Sequence, residues 1–147
     1  MLYSVGYPVN VGSLFRLAEG LAVERMYLVG GTARPEGINF NRASRGSERR
    51  IGWEIIEEVE KVGELISRLK REGYKVVAIE LTGESVRFDQ YQYGDKVCLI
   101  LGNEEHGVPE KVLEKVDGVV YVPMLGKNRS LNVAVTGGIV GYKVKLG

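Results

Sequence analysis

Two kinds of hydrophobic pattern alternate along the chain. Short runs of β-branched and apolar residues predict strands at 2–6, 26–30, 51–56, 75–81, 97–101 and 119–122. Segments in which apolar residues recur every three or four positions predict helices at 11–23, 57–73, 109–118 and about 131–145. Because strands that alternate with helices pair in parallel, the pattern predicts an α/β fold with a mostly parallel sheet flanked by helices. The stretch 31–50 is the longest irregular one, and such loops are usually functional or mobile.

Composition fits one globular domain. The chain has 147 residues, of which 44% are apolar and 27% charged, with a formal net charge of +1, so residues 1–147 are predicted to form a single domain. The near-zero charge means that any case for nucleic-acid binding rests on local patches. A lone cysteine, Cys98, fits a reducing compartment. Since no membrane-length apolar run or signal pattern is present, we expect a soluble cytoplasmic protein.

Several common signatures are missing. No G-x-G-x-x-G follows the first strand and no Walker loop is present, which argues against a dinucleotide dehydrogenase or a P-loop NTPase. One histidine, His106, cannot build a histidine-based metal site, and no G-x-S-x-G elbow accompanies it. We therefore expect no metal centre and interpret His106 as a loop residue.

Small and polar residues follow three strands of the C-terminal half, at 81–85, 101–109 and 123–132. In open parallel sheets, ligands bind beyond the carboxyl ends of strands, where such loops converge. Gly102 lets a ligand approach the backbone closely. Glu104 and Glu105 can accept hydrogen bonds from hydroxyls or an amine, but they equally fit acids near the N-terminus of a helix.

The last predicted helix begins with polar residues. Ser130 is a good N-cap, whereas Asn132, one turn into the helix, competes with the backbone. Gly137 and Gly138 together cost the helix about 1–2 kcal/mol relative to alanine. That cost is tolerable where another backbone or a partner subunit approaches closely. These residues predict a binding site near the C-terminus.

A second polar group opens the first helix. Asn10 and Gly12 are expected just before the helix, and Arg16 on its face away from the core. Arg16 alone fits a solvated arginine as well as a functional one. The irregular stretch is either a phosphate-contacting patch or a solvated loop, because it carries five arginines. They are Arg34, Arg42, Arg45, Arg49 and Arg50.

In this order, the polar groups resemble the three motifs of the SpoU, or TrmH-like, RNA ribose methyltransferases of the SPOUT superfamily. Asn10, Gly12 and Arg16 are similar to the first motif. The second motif, a GNE turn with a later glycine, is matched by Gly102, Asn103, Glu104 and Gly107. The third is matched by VPMLGKNRSLNVAV at 122–135. Together the three motifs span nearly the whole chain.

The resemblance implies S-adenosylmethionine as the methyl donor and a ribose 2′-hydroxyl of tRNA or rRNA as the acceptor. It also implies a C-terminal trefoil knot, formed where the last helix is threaded through a loop. A homodimer is expected, with the first and last helices as our choice for its interface. The middle segment 49–90 looks most like the enzymes that methylate a guanosine of the tRNA D-loop.

The resemblance also assigns site residues. The catalytic positions fall on Arg16, Asn10, Glu104, Ser130 and Asn132. In this assignment Arg16 clamps a substrate phosphate and is oriented by Asn10, while the others shape the pocket. The cofactor residues are Ile79, Leu81, Gly102, Val122, Met124, Ser130 and Leu131. RNA contacts are expected at Arg42, Arg45, Arg49 and Arg50.

Two alternatives to this enzyme stay open. One is a non-catalytic RNA-binding or assembly subunit that retains the knotted fold, and the other is a methyltransferase acting on a base nitrogen. The joint presence of all five catalytic positions favours the ribose methyltransferase. We expect no N-terminal RNA-binding extension, so that substrate grip comes from 31–50, from the dimer surface or from an accessory RNA-binding protein.

Overall fold

The computed structural model describes residues 1–147 and contains one seven-stranded sheet and five α-helices. The strands are β1 (Leu2–Tyr3), β2 (Arg25–Val29), β3 (Gly52–Ile56), β4 (Lys75–Ile79), β5 (Val86–Arg87), β6 (Val97–Leu101) and β7 (Gly118–Tyr121). The helices are α1 (Pro8–Gly20), α2 (Ile38–Ser44), α3 (Val62–Arg71), α4 (Glu110–Leu113) and α5 (Val133–Leu146). Two short 3-10 turns lie at Ser47–Arg49 and Val59–Lys61.

All the strand pairs are parallel, and the strand order is β3-β2-β1-β6-β4-β7-β5. The predicted α/β class with a parallel sheet is therefore confirmed. This order places β6, β4 and β7 side by side, so the three polar loops that follow them meet at one edge of the sheet. The trefoil knot stays a prediction.

Side chains of the central strands alternate between two apolar layers, because successive residues of a strand point to opposite faces. Val77 packs in one layer with Phe15 of α1 and Phe40 of α2. Val76 packs in the other with Ile66 of α3. Helices α1, α2 and α5 thus cover one face of the sheet, and α3 and α4 cover the other.

Several element boundaries differ from the predictions. All six predicted strands are present, but β5 was missed because it has only two residues, both exposed. The stretch 31–50 is not irregular throughout, since it contains α2 and a 3-10 turn. Only Phe40 and Ser44 of α2 are buried, which is too few to give an apolar periodicity. The predicted helix at 109–118 is reduced to the single turn of α4.

Close packing explains one of the two adjacent glycines of α5. A Cβ added at Gly137 would lie 2.9 Å from Leu14 Cδ2 and 3.4 Å from both Cδ atoms of Leu101. At Gly138 the nearest atom would be 3.8 Å away, on Leu17, which is ordinary contact. Gly137 therefore allows α5 to approach α1 and the sheet, whereas nothing within the chain requires Gly138. No helix of the structure has the length and apolar character needed to cross a membrane.

Candidate active site

The loop after β6 forms a tight turn closed by its own backbone. Asn103 N–H donates to the Gly107 carbonyl at 3.1 Å, and Gly107 N–H donates back to the Asn103 carbonyl at 2.9 Å. The Asn103 side-chain oxygen accepts hydrogen bonds from Glu105 and His106 N–H, each at 2.9 Å. Glu104 and Glu105 lie inside this turn. Of the alternative, a turn followed by a helix with acids near its N-terminus, the turn is present, but the helix begins only at Glu110.

Gly102 is required by this turn. An added Cβ would lie 2.4 Å from the Gly107 carbonyl carbon and 2.6 Å from Val108 N, closer than real Cβ contacts occur. Gly107 itself has a φ of +66°, in the left-handed region that glycine adopts without strain. Both glycines of the second motif thus serve the local geometry that directs the Glu104 side chain.

The Glu104 carboxylate connects the β6 loop to the start of α1. It accepts hydrogen bonds from Gly6 N–H at 2.9 Å, Tyr7 N–H at 3.2 Å and Asn10 Nδ2 at 2.9 Å. Burial alone would raise the pKa of Glu104, but these hydrogen bonds outweigh it and hold the pKa below its ordinary value. The carboxylate sits at the positive end of the helix dipole, which stabilises it further.

Asn10 continues this connection to the third motif. Asn132 Nδ2 donates to Asn10 Oδ1 at 2.9 Å, and Asn132 Oδ1 accepts from Ala134 N–H at 2.9 Å and Val135 N–H at 3.3 Å. The N-cap of α5 is therefore Asn132, and the predicted cap at Ser130 is wrong. Asn132 directly precedes the first residue of α5, where its side chain accepts hydrogen bonds from free backbone N–H groups of the first turn. It therefore does not compete with the hydrogen bonds inside the helix.

The first motif lies inside α1 and not before it. Asn10 and Gly12 are buried, because α1 already begins at Pro8, a residue suited to a first helical turn. Both amide atoms of Asn10 are bonded to Glu104 and Asn132, so Asn10 makes no hydrogen bond to Arg16. Asn10, Glu104 and Asn132 thus form a continuous chain of hydrogen bonds that we call the relay.

Arg16 and Ser130 lie outside the relay. Arg16 is exposed, as predicted, and makes no hydrogen bond or ion pair within the chain. Ser130 is exposed in the loop before α5. No backbone N–H between residues 124 and 131 is bonded within the chain, so this loop offers several free donors.

The predicted cofactor residues come together at the carboxyl edge of three neighbouring strands. Ile79 ends β4, Gly102 follows β6, and Val122 and Met124 follow β7. Ile79 and Gly102 are buried, while Val122 and Met124 are half-buried. Leu81 and Leu131 are exposed, at 67% and 37%. The predicted cofactor residues therefore include buried positions at the ends of the strands and exposed apolar side chains in the loops that follow.

Glu80 is a residue of this edge that sequence reasoning missed. Its carboxylate accepts hydrogen bonds from Val108 N–H at 2.9 Å and from Leu81 N–H at 3.0 Å. It thereby ties the loop after β4 to the turn after β6. The signal in the sequence was a single acid directly after a buried strand, which resembles any solvated residue at a strand end.

The predicted RNA-contacting arginines fall into two groups. Arg50 forms an ion pair with Glu19 of α1, and Arg49 lies 3.7 Å from Glu48. Arg42 and Arg45 are exposed and have no ion pair.

No cluster of three or more histidine, cysteine or acidic side chains is placed to hold a metal ion. A cavity of about 620 Å³ lies between α1, α5 and the first residues of β2 and β6. None of the predicted site residues lines this cavity.

Comparisons with known proteins agree with this geometry. The structure superposes on the AdoMet-bound rRNA methyltransferase from Sinorhizobium meliloti with a TM-score of 0.87 and 27% identity, covering 99% of this chain and 54% of that one. It superposes on a structure that describes 2-OH methylation of C/U34 on tRNA with a TM-score of 0.82 and 26% identity, covering 97% of this chain and 90% of that one.

The sequence comparison gives the family. The chain matches the model of the SpoU rRNA Methylase family over residues 1–142, and it belongs to that family. The resemblance found in the three motifs is thereby confirmed. A tRNA (guanosine(18)-2′-O)-methyltransferase of Aquifex aeolicus is 30% identical over 136 residues, which cover 92% of this chain and 63% of that protein. The chain thus spans less than two thirds of that relative's length.

Proposed function

We propose that this chain is an S-adenosylmethionine-dependent RNA ribose 2′-O-methyltransferase. One observation carries the proposal: three motifs far apart in sequence meet through the relay, while Arg16, on the same helix as Asn10, stays exposed and unpaired. A non-catalytic scaffold would not need all five motif residues together. The proposal is also supported by the family and by the activities named for the relatives.

The donor set at the carboxyl edge fits S-adenosylmethionine. The apolar side chains of Ile79, Val122 and Leu131 suit the adenine ring, and the free N–H groups of residues 124–131 suit its polar edges and the carboxylate of the methionine part. Leu81, Gly102, Met124 and Ser130 complete the residues that would hold the cofactor. When bound, S-adenosylmethionine supplies a methyl group already activated by a sulfonium centre.

The residues of the chain then have to align the 2′-oxygen of the RNA and assist the loss of its proton. Arg16 clamps a substrate phosphate next to the target ribose, and that phosphate accepts the proton. An arginine base is the weaker assignment, since a guanidinium keeps its proton at neutral pH. The hydrogen bonds of Asn10, Glu104 and Asn132 fix the position of α1, which carries Arg16, relative to the loop 124–131.

We propose tRNA as the RNA and a guanosine as its target, on the basis of the Aquifex relative. A second candidate is the ribose of C/U34 on tRNA, because this chain covers 90% of the protein described for that reaction. The arginines Arg42, Arg45, Arg49 and Arg50 contribute the basic surface for phosphates.

We also propose a homodimer that works in the cytoplasm, formed through α1 and α5. Exposed apolar side chains on α5 support this interface, namely Val135, Tyr142 and Leu146. An accessory RNA-binding protein remains part of the proposal as an additional source of substrate grip.

The test incubates the purified protein with methyl-labelled S-adenosylmethionine and, separately, with total tRNA and with rRNA. Digestion to nucleosides followed by mass spectrometry identifies any 2′-O-methylated residue. We expect label in the tRNA pool, on 2′-O-methylguanosine. Label on 2′-O-methylcytidine or uridine supports the second candidate. Cofactor binding without transfer to either RNA pool contradicts the enzyme and supports the non-catalytic subunit.

A further inference from the structure

One face of α1 carries the exposed arginine between two contacts to the arginine-bearing segment 38–50. Gly12, Arg16 and Glu19 share this face, because residues four and seven positions apart in a helix point in similar directions. At Gly12 an added Cβ would lie 2.6 Å from the Phe40 carbonyl oxygen and 3.0 Å from Ser44 N. At Glu19 the carboxylate binds residues that follow α2. Arg16 is therefore flanked by the segment on both sides.

Glu19 is bonded more extensively than a surface acid needs to be. Its carboxylate accepts two hydrogen bonds from the Arg50 guanidinium, one of them from Nη2 at 2.9 Å, and another from the buried hydroxyl of Ser47. These hydrogen bonds, first from Arg50 and then from Ser47, lower the pKa of Glu19 to about 2, with a smaller contribution from the charge of Arg16. The carboxylate therefore stays ionised throughout the physiological pH range.

The turn that Glu19 holds has an unusual backbone. Arg45 has a φ of +54° and Gly46 a φ of +83°, so two successive residues lie in the left-handed region. For a residue other than glycine this conformation costs about 1–2 kcal/mol and persists only where its surroundings enforce it. The Arg50 guanidinium, fixed by Glu19, lies with Nη2 3.4 Å from the Arg45 carbonyl oxygen. Arg50 thus links Glu19 to Arg45, the residue whose backbone is strained.

We propose that Glu19 is a positioning residue for RNA binding, which holds the turn at residues 44–50 against α1 so that Arg42 and Arg45 lie beside Arg16 as one preformed phosphate-binding surface. This inference rests on the proposed function, because it assumes that the three arginines face RNA. It narrows the set of four arginines proposed above: Arg50 mainly holds the turn, and Arg42 and Arg45 make the contacts with phosphate.

A simple charge argument predicts the opposite effect of removing Glu19. A negative carboxylate near a basic surface repels RNA, so its neutralisation should tighten binding and leave Arg50 free to contact a phosphate. If Glu19 instead positions the turn, its neutralisation weakens binding although the surface becomes more positive. The sign of the change in RNA affinity therefore separates the two explanations.

The experiment measures the Kd of fluorescein-labelled tRNA by anisotropy over a range of salt concentrations, for wild type, Glu19→Gln and Glu36→Gln. Glu36 is the matched control, since it is an exposed acid of the same region whose side chain makes no hydrogen bond or ion pair. For Glu19→Gln we expect Kd to rise about five- to tenfold. The slope of log Kd against log salt concentration should fall by about 0.9, the value for one lost phosphate contact. For Glu36→Gln we expect an unchanged or slightly lower Kd.

Further measurements separate positioning from a general loss of structure. Thermal unfolding of Glu19→Gln should stay cooperative, with Tm lowered by only a few degrees, and the Kd of S-adenosylhomocysteine should stay close to wild type. Steady-state kinetics should show a higher KM for tRNA with kcat within about twofold. Arg50→Lys keeps the charge but loses the bidentate hydrogen bonds to Glu19, so it should reproduce the higher KM for tRNA. It replaces Glu19→Gln as the test variant if Glu19→Gln does not fold.

The outcomes distinguish this inference from the proposed function. Unchanged or tighter RNA binding by folded Glu19→Gln overturns the positioning role, as does wild-type RNA affinity in Arg50→Lys when Glu19→Gln is unfolded. A wild-type protein that binds no RNA overturns it as well. Because anisotropy needs no methyl transfer, a wild type that binds tRNA but does not methylate it refutes only the enzyme.

Discussion

The motif side chains form two groups that differ in what they contact. The relay residues Asn10, Glu104 and Asn132 are bonded to one another and to the backbone at the starts of α1 and α5. Arg16 and Ser130 have no hydrogen-bond partner within the chain. All five are motif residues, so the motifs do not separate residues that build the site from residues available to a ligand.

This difference has an energetic consequence. Removing one partner of a saturated network leaves the other donors or acceptors unsatisfied, which costs about 1–3 kcal/mol for each buried group. Replacing an exposed, unpaired side chain usually changes stability by less than about 0.5 kcal/mol. Substitutions in the relay should therefore lower stability together with activity, whereas substitutions of Arg16 and Ser130 should affect only ligand binding or catalysis.

The largest effect is expected for Arg16→Ala. Because Arg16 is exposed and makes no hydrogen bond or ion pair within the chain, its loss should leave thermal unfolding and the affinity for S-adenosylhomocysteine unchanged. Methyl transfer should fall by at least about 100-fold, the size of one lost transition-state contact. Single-turnover kinetics with tRNA check the rate, and calorimetry checks the cofactor affinity. A fully active Arg16→Ala protein would remove the catalytic assignment.

Glu104→Gln should lower stability and activity together. The Glu104 carboxylate accepts hydrogen bonds from Gly6, Tyr7 and Asn10. In glutamine an NH₂ group replaces one carboxylate oxygen, so it faces at least one of these donors and the hydrogen bond there is lost. We expect the free energy of unfolding to fall by about 1–3 kcal/mol, measured by urea denaturation at pH 7. Activity should fall as well, because α1 carries Arg16. A variant with wild-type stability would contradict the structural role of the relay.

Acid pH provides the control for Glu104. Its pKa is lowered in the folded protein, so its contribution to stability is present above the pKa of an unfolded-state glutamate, about 4.3, and is lost as pH falls through the folded-state pKa. The stability difference between wild type and Glu104→Gln should be constant from pH 6 to 8 and should narrow below about pH 4.3. A difference that does not narrow at all as pH falls below about 4.3 would mean that the carboxylate charge is not its cause.

Hydrophobic pattern was sufficient to predict the α/β class, because a parallel sheet covered on both faces requires apolar runs that alternate with amphipathic helices. It was insufficient for α2, whose packing depends on Gly12 and on a backbone turn, and not on a stripe of apolar residues. The partners of Glu104 were equally inaccessible, since Gly6 and Asn10 are more than 90 positions away in the sequence.

The residues at the start of α5 show the same limit at short range. Both Ser130 and Asn132 are residue types that cap helices, and the predicted helix start at about residue 131 favoured the first one. Asn132 takes the position with both parts of its amide: the oxygen accepts from Ala134 and Val135 N–H, and the nitrogen donates to Asn10. A tertiary contact therefore decides the helix boundary.

Comparison of Asn132→Ala with Ser130→Ala tests this pair. Asn132→Ala loses the cap and the hydrogen bond to Asn10, so we expect a fall of about 1–2 kcal/mol in the free energy of unfolding. Ser130→Ala should change stability by less than about 0.5 kcal/mol but weaken binding of S-adenosylhomocysteine. Urea denaturation and calorimetry measure the two quantities. Equal losses of stability in both variants would show that Ser130 is not free.

Gly137 and Gly138 of α5 differ in the same way, because Gly137 is packed tightly within the chain and Gly138 is not. Gly137→Ala forces Leu14 and Leu101 to move, which costs about 1–2 kcal/mol, partly offset by the better helix propensity of alanine. Gly138→Ala meets only ordinary contact with Leu17, so it should not destabilise a single chain. If α5 packs against a second copy at Gly138, the added methyl group should weaken dimerisation instead.

We therefore expect Gly137→Ala to lower stability without changing the dimer, and Gly138→Ala to shift the monomer–dimer equilibrium by about tenfold or less. Sedimentation equilibrium measures the association, and denaturation at low protein concentration measures the stability of the separated chains. An unchanged dimer with a stability gain of about 0.5–1 kcal/mol in Gly138→Ala would place this face of α5 outside the interface, because that gain is what an open helix position gives to alanine.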